Sequence, residues 1–132
     1  MAELMKLQVI CPDRIFYERE VTMVELNTTE GELGIYPRHI PLTCIVAPGI
    51  LTITEESGLK NAALHAGFVQ IMPDKVTIMA EVAEWPDEID LDRAEAAKER
   101  AEERIREKDS KTDIARAETA LHRAVARINV IK

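Results

Sequence analysis

The chain has 132 residues, a formal net charge of −7 and a hydrophobic content of 46%, but aromatic residues make up only 4%. This length predicts one domain, or one domain with an appendage. A core must therefore be built mainly from Val, Ile, Leu, Met and Ala. No apolar run approaches the roughly 18–20 residues that span a bilayer, and residues 1–6 lack a signal-peptide pattern. We expect a cytosolic chain, or one held at a membrane only through a partner.

Charge is distributed unevenly along the sequence. Residues 1–86 carry 6 basic and 12 acidic side chains, whereas residues 114–132 carry four basic side chains against Glu118 alone. Nucleic acid is a poor partner for the whole chain, because the acidic front would repel it and no aromatic stacking pattern accompanies the arginines. The basic end suits an acidic protein surface or a nucleotide.

Residues 1–86 show the pattern of short β-strands. Turn residues recur about every eight to twelve positions, which favours a β-sandwich or barrel. We predict residues 27–34 as a loop in which Gly31 and Gly34 take positive φ. The predicted strands are residues 4–9, 21–26, 50–54, 61–65, 68–72 and 76–82.

After Trp85-Pro86 one sixteen-residue pattern occurs twice, at residues 90–105 and 113–128, with nine identical positions. Each copy opens with a capping Asp and places three arginines on one helical face. This predicts an antiparallel two-helix hairpin with a loop at residues 108–111, capped by Asp90 and by Asp113 or Thr112. We therefore divide the chain into a β-sandwich or barrel at residues 1–86 and a two-helix domain at residues 87–132.

The predicted helices carry alanine stripes and few large apolar side chains. Ala, Glu, Lys and Arg favour helix strongly. A buried alanine methyl contributes only about 0.5–1 kcal/mol, however, so the helices should pack weakly on each other. Stable helices with weak packing suit an element that has more than one docking position.

No sequence motif predicts an active site or a metal site. The Gly31–Gly34 stretch lacks the lysine and the following helix of a phosphate-binding loop. His39 and His65 have no second ligand at metal spacing and are predicted to be structural. Cys11 and Cys44 are predicted to be reduced, buried, small hydrophobic residues.

Two longer motifs resemble the epsilon subunit of bacterial F-type ATP synthases: residues 31–42 read G-E-L-G-I-x-P-x-H-I-P-L, and residues 67–78 read G-F-V-Q-I-x-P-D-K-V-T-I. The resemblance implies a non-catalytic subunit at the foot of the central stalk, against the gamma subunit and the c-ring. Its helices would fold onto the sandwich or extend towards the alpha/beta catalytic head and block ATP hydrolysis. It also implies a peripheral position on the cytoplasmic side of the cell membrane, in a complex that translocates protons or sodium.

Residues 89–94, I-D-x-x-R-A in outline, resemble the nucleotide motif of epsilon subunits that bind ATP as a regulatory ligand. By this resemblance, ATP favours the folded hairpin, acidic and alanine groups recognise adenine, and arginines of both helices hold the phosphates. Several guanidinium groups suit a triphosphate, and only a folded hairpin gathers them. The implied ATP-binding residues are Glu84, Ile89, Asp90, Arg93, Ala94, Arg123 and Arg127, with Arg100 assisting.

Two alternatives stay open. In the first, Asp90 is only a helix cap, the arginines pair with glutamates on solvated helix faces for about 0–1 kcal/mol each, and the chain is a purely structural stalk subunit without nucleotide sensing. Asp113-x-x-Arg116-Ala117 repeats the motif spacing outside the expected site, so spacing alone does not decide. In the second, the chain is a free-standing β-sandwich adaptor that dimerises through its hairpin, although such a seam favours sustained Leu or Ile heptads.

Overall fold

The computed structural model describes residues 3–107 and 114–131. In this part of the chain, strands are followed by a short 3-10 turn and two helices. The strands are β1 Met5–Cys11, β2 Arg14–Val21, β3 Met23–Thr28, β4 Gly31–Ile35, β5 Leu42–Ile45, β6 Gly49–Glu55, β7 Gly58–Ile71 and β8 Lys75–Glu84. The turn is Pro86–Glu88, and the helices are α1 Leu91–Glu107 and α2 Ile114–Ile131.

The strands form a sandwich because two of them run through both layers. They pair in the order β2-β1-β8-β7-β6-β3-β4, and β5 also pairs with β7. The first half of β7 pairs with β6 and the second half with β5, while β8 accompanies both halves. The β1–β8 pair is parallel and the other strand pairs are antiparallel. The sheet therefore folds over itself around an apolar interior.

The sandwich interior holds the large apolar side chains. Within the described residues, every member of its core cluster precedes Pro86. Leu7, Leu51 and Ile53 are completely buried, and so is Ile78. Burial of such side chains contributes about 1.5–3 kcal/mol each, so the sandwich supplies most of the hydrophobic stabilisation.

The prediction of a loop at residues 27–34 is wrong, because this segment forms a hairpin between β3 and β4. Thr28 makes the tight turn possible: its Oγ1 donates to the Gly31 carbonyl at 2.8 Å and accepts from the Glu30 N–H at 3.2 Å. These two bonds satisfy the polar groups of the turn. Gly31 has the predicted positive φ, 123°, whereas Gly34 lies inside β4 opposite Glu25 and does not.

Residues 61–65 and 68–72, predicted as two strands, belong largely to the single strand β7. Ala66 and Gly67, with φ of 46° and 127°, bend this strand without changing its register with β8. A Cβ at Gly67 would collide with the Met79 carbonyl oxygen, which explains the glycine. The bend resembles a turn in the sequence because it places two small residues between apolar runs.

Besides β4, two further strands were not predicted. In β2, three consecutive charged and exposed residues, Glu18 to Glu20, hide the alternation expected of a strand. Strand β5 has only four residues, and its Leu42 and Ile45 are exposed, so it lacks a buried face in its own sequence. Of the two cysteines, Cys11 is buried as predicted and Cys44 is half-buried, and both are free thiols.

The linker between the domains is attached to the sandwich. The Trp85 ring stacks on the Phe16 ring with centroids 4.3 Å apart and planes inclined at 18°. Glu88 Oε1 accepts from the Trp85 N–H at 2.9 Å, and both Glu88 oxygens accept from Arg14 at 2.9 and 3.0 Å. The sandwich unit therefore extends through Glu88, and the chain is extended at Ile89, with φ −97° and ψ 131°.

The helices are docked on the sandwich through α2, which contacts β6, β7 and the 3-10 turn, while α1 packs on α2. The start of α1 and the end of α2 line one cavity, so the helices are antiparallel. The buried residues of α1 are alanines, Ala94 and Ala101, as the sequence predicted. The predicted fold class, a β-sandwich followed by an antiparallel two-helix hairpin, is confirmed. The predicted loop at residues 108–111 and the caps Thr112 and Asp113 lie outside the described residues.

Candidate functional site

A cavity of about 400 Å³ lies where the hairpin meets the sandwich. Its walls come from the end of β8, the linker, the first turns of α1 and the last turns of α2. Six of the seven residues implied by the nucleotide motif line it: Glu84, Ile89, Asp90, Arg93, Ala94 and Arg127. Arg100, which was expected to assist, also lines it, together with Glu88 and Ala97.

Asp90 holds the start of α1 at the cavity. Its Oδ1 accepts from the Arg93 N–H at 3.1 Å, and its carbonyl accepts from the Ala94 N–H at 3.0 Å. Asp90 is therefore the N-cap of α1, as predicted. The cap fixes the backbone of residues 90–94 beside the cavity, so its structural role and a binding role occupy the same place.

Glu84 joins the two domains across the cavity wall. Its Oε1 accepts from Arg127 Nε at 2.7 Å, and His65 Nε2 lies 3.2 Å from the same oxygen. These hydrogen bonds, that of His65 first and that of Arg127 next, lower the pKa of Glu84 to about 2 against the opposing effect of burial. The carboxylate is thus ionised at neutral pH and anchors α2 to β8.

The arginines that line the cavity determine whether it suits an anionic or a cationic ligand. Arg127 uses Nε for Glu84, so its two terminal nitrogens are available to another group. Within residues 3–107 and 114–131, neither Arg93 nor Arg100 forms an ion pair. Three guanidinium groups on two helices therefore border the cavity with donors to spare, which suits a phosphate-bearing ligand.

Arg123 is the one implied residue that the structure leaves outside the cavity lining. Its Nη2 lies 3.7 Å from Glu81 Oε2 on β8, and its Nε is buried without a hydrogen-bond partner among the described residues. Arg123 and Arg127 thus contact carboxylates of the sandwich, not the helix glutamates that the first alternative proposed. In this arrangement Arg123 acts in docking.

Sequence reasoning missed the groups that support the cavity from the sandwich side. Arg14 and Glu88 are 74 residues apart and form a bidentate pair, and the Arg14 guanidinium lies 5.0 Å from the Phe16 ring centroid. His65 and Glu84 are 19 residues apart on neighbouring strands. No local pattern marks such pairs, because the β7–β8 register brings His65 to Glu84 and the packing of the linker at the start of β2 brings Glu88 to Arg14.

A larger cavity, of about 790 Å³, lies between α2 and strands β3, β4 and β6. Glu25, Glu32, His122 and Asn129 are among its polar lining residues, and it has no arginine or lysine. Its size exceeds that of the cavity at Glu84, but its charge disfavours an anionic ligand. We therefore take the smaller cavity as the candidate site for an anionic ligand.

The outer face of the sandwich carries a second feature, an apolar row across five strands. Register pairs Ile45 with Phe68, Phe68 with Met79, Met79 with Ile10, and Ile10 with Ile15. All five are exposed or half-exposed. The next row on this face is polar and consists of Thr43, Gln70, Thr77, Gln8 and Glu18. A straight apolar row of about 20 Å bordered by polar groups is typical of a protein interface.

Acidification should weaken hairpin docking through Glu84. The lowered pKa of Glu84 stabilises the folded chain fully above its ordinary value of 4.5, and this contribution is lost as the pH falls towards about 2. His65 remains beside Glu84 when α2 leaves. Only the part of the lowered Glu84 pKa that Arg127 causes therefore affects docking. With the Glu84 side chain 24% exposed, we expect docking to lose about 1 kcal/mol between pH 5 and pH 2.5.

Hydrogen exchange of the α2 amides at these two pH values measures this loss. Glu84→Gln is the matched variant, because it keeps the size of the side chain and does not titrate. We expect its α2 protection to be lower at pH 5 and almost independent of pH. Equal pH responses in the two proteins would contradict the assignment.

Two further observations limit the kind of site. Among the described residues, no group of three or more His, Cys, Asp or Glu side chains is placed to hold a metal ion. None of the helices in that part of the chain has the length and apolar character to cross a membrane. By class, the molecule is a β-sandwich protein that carries a two-helix domain docked through arginine–glutamate pairs.

Comparison with known proteins gives the family. A family model of the ATP synthase delta/epsilon chain β-sandwich domain matches residues 4–86, and one of the delta/epsilon chain long α-helix domain matches residues 87–132. The ATP synthase epsilon chain of Caldanaerobacter subterraneus subsp. tengcongensis is 45% identical over 131 residues, which cover 98% of this chain and 95% of that one. That of Halalkalibacterium halodurans is 46% identical over 125 residues, 94% of each chain.

Solved structures agree with these relatives. A chain in the cryo-EM structure of the Euglena gracilis mitochondrial ATP synthase OSCP/F1/c-ring has a TM-score of 0.83 at 25% identity, covering 93% of this chain and 78% of that one. A chain of the Tetrahymena thermophila mitochondrial ATP synthase central stalk and c-ring, with a TM-score of 0.66 at 15% identity over 99% and 98%, shares the fold. The chain belongs to the ATP synthase delta/epsilon chain family, and both relatives compared above are bacterial epsilon chains. This confirms the resemblance seen in its motifs.

Proposed function

We propose that this chain is a non-catalytic central-stalk subunit of an F-type ATP synthase and that its hairpin restrains ATP hydrolysis. In this proposal ATP binds in the cavity at Glu84 and stabilises the docked hairpin. The arginine-bordered cavity at the joint between hairpin and sandwich carries the proposal, because a ligand there contacts both domains at once. Membership of the epsilon chain family supports the stalk role.

The apolar row Ile45–Phe68–Met79–Ile10–Ile15 supports attachment to the stalk. Its place on the sandwich keeps it clear of the helices, so the hairpin can move while the sandwich stays bound. We assign this row to the gamma subunit and the neighbouring end of the sandwich to the c-ring. The related Euglena chain lies in an F1/c-ring assembly, which is consistent with both partners. The complex would hold the chain peripherally, on the cytoplasmic side of a membrane across which protons or sodium ions move.

The energetics of docking suit a reversible restraint. Alanines Ala94, Ala101, Ala117 and Ala124 are the buried residues along much of the helix pair, so the apolar area buried there is small. Ion pairs of half-exposed Arg123 and Arg127 add little, about 0–1 kcal/mol each. A ligand that binds only the docked hairpin at a concentration of 100 times its Kd adds about 2.7 kcal/mol, which is enough to decide between docked and extended states.

Removal of the helices tests the restraint. A chain ending at Glu88 keeps the linker and the apolar row, and we expect it to assemble into the complex and to raise ATP hydrolysis about two- to fivefold. The physical reason is that α2, the basic helix, no longer reaches the acidic surfaces of the alpha/beta head. Hydrolysis by the reconstituted complex, with the full-length chain as reference, measures the effect.

Phe68→Ser in the full-length chain is the control for assembly. It places a hydroxyl in the exposed apolar row and leaves the core intact, so we expect the variant to fold but to incorporate poorly into the complex. Normal incorporation would contradict the interface assignment. Unchanged hydrolysis with the chain ending at Glu88 would instead favour a purely structural stalk subunit.

A further inference from the structure

His65 is a buried polar residue directly behind the cavity. It lies on β7, is 0% exposed and places Nε2 3.2 Å from Glu84 Oε1. Its Nδ1 is buried and has no hydrogen-bond partner among the described residues. Buried polar atoms are nearly always satisfied, so an unpaired one calls for a reason. His65 thus has one hydrogen bond, from Nε2 to Glu84, while its other ring nitrogen, Nδ1, has no partner among the described residues.

The surroundings of the ring favour one tautomer. A carboxylate only accepts hydrogen bonds, so the ring nitrogen beside Glu84 must carry the proton. His65 therefore donates from Nε2 to Glu84, and Nδ1 is the ring nitrogen that has no partner among the described residues.

The same Glu84 oxygen also accepts from Arg127 Nε at 2.7 Å, on a helix that leaves when the hairpin extends. His65 stays, because it belongs to a central strand of the sandwich. His65 is thus beside Glu84 in both hairpin states, whereas Arg127 is there only when the hairpin is docked. His65 fixes the carboxylate in the direction that the arriving Arg127 needs.

We propose that His65 is the positioning residue of this site: it holds the Glu84 carboxylate ready, in both hairpin states, for Arg127 and for the ligand. The parts that concern the ligand and the second hairpin state rest on the proposed function, whereas the alignment of Glu84 for Arg127 in the docked hairpin does not. Preorganisation of this kind strengthens binding because the group needs no ordering when its partner arrives.

His65→Leu and His65→Gln form the matched pair for the test. Leucine fills the buried space and removes the unpaired Nδ1, but it also takes a donor from the part-buried Glu84 carboxylate. A merely structural histidine therefore predicts a lower melting temperature with unchanged Arg127 and ATP readouts. Glutamine keeps an N–H donor near the place of Nε2. The reporters are the NMR signal of Arg127 Nε–H without nucleotide and the Kd for ATP by calorimetry. His122→Gln, at an exposed histidine of α2 that lines the larger cavity and not the cavity at Glu84, is the control.

We expect His65→Leu to fold with a lower melting temperature than the native chain, to lose protection of Arg127 Nε–H about fivefold and to bind ATP about five- to tenfold more weakly. His65→Gln should restore both readouts to within about twofold of the native values, and His122→Gln should change neither. An unchanged Arg127 signal in the leucine variant, or equal losses in the leucine and glutamine variants, would overturn the positioning role. Loss of the Arg127 signal together with no ATP binding by the native chain would leave the positioning role standing and sink the nucleotide proposal.

Discussion

Replacing Arg93 and Arg127 together by alanine should weaken ATP binding by the isolated chain about 100-fold, or about 2.7 kcal/mol. Each guanidinium borders the cavity from a different helix, so each single variant should lose about tenfold, about 1.4 kcal/mol. Alanine keeps the helices intact, since it is the best helix former. We expect the native chain to bind ATP with a Kd between about 1 µM and 1 mM, more tightly than ADP or GTP, because part of the binding energy orders a loosely packed hairpin.

Calorimetry on matched variants separates this site from ordinary surface charge. Arg123→Ala should weaken ATP only about two- to threefold, because Arg123 contacts Glu81 outside the cavity lining. Arg116→Ala and Arg104→Ala, one on each helix and both outside the lining, should stay close to the native Kd. Arg127→Lys keeps the charge but not the planar fork, and should recover less than half of the lost free energy. Equal losses at all five positions, or no heat from the native chain with millimolar ATP, would refute the cavity assignment.

The sequence predicted the helical domain well because its signals are local. The Asp90 cap, the alanine stripes and the arginine spacing each act within one or two helical turns, and all three appear in the structure. Turn spacing indicated a β-sandwich or barrel, and the resemblance to the epsilon subunit implied the sandwich. Individual strands were harder: the exposed charges of Glu18 to Glu20 hid β2, and the bend at Gly67 divided β7.

The candidate site was predictable on the side that the motif covers and unpredictable on the other. Residues 89–94 lie together because they are consecutive, and Arg127 follows from the helix repeat. His65, Arg14 and Glu88 reach the site only through strand register and linker packing, over separations of 19 and 74 residues. The place of Arg123 shows the same limit, since its partner Glu81 depends on how α2 lies on the sandwich, a property that weak alanine packing leaves unspecified in the sequence.

The packing of Trp85 allows a test of where along the chain the sandwich unit ends. The predicted boundary follows residue 86, whereas the contacts of the sandwich continue through Glu88. A chain ending at Glu84 loses the Trp85–Phe16 stack, and half-buried Trp85 should be worth about 2–3 kcal/mol, somewhat less than the 3–5 of a fully buried aromatic. It also loses the exposed Arg14–Glu88 pair, worth about 0–1 kcal/mol.

We therefore expect the chain ending at Glu84 to unfold with about 3 kcal/mol less free energy than the chain ending at Glu88, and to melt about 15 °C lower. Urea unfolding, followed by circular dichroism so that both chains give a signal, measures the difference. Within the longer chain, Trp85→Ala should reproduce most of the loss and Glu88→Ala about 1 kcal/mol or less. Equal stability of the two truncated chains would mean that the linker does not stabilise the sandwich and moves with the hairpin. The helices would then pivot at Glu84. A large difference would place the proposed pivot at Ile89, where the backbone is extended next to the cavity, so that the proposed ATP site would lie beside the point about which the hairpin turns.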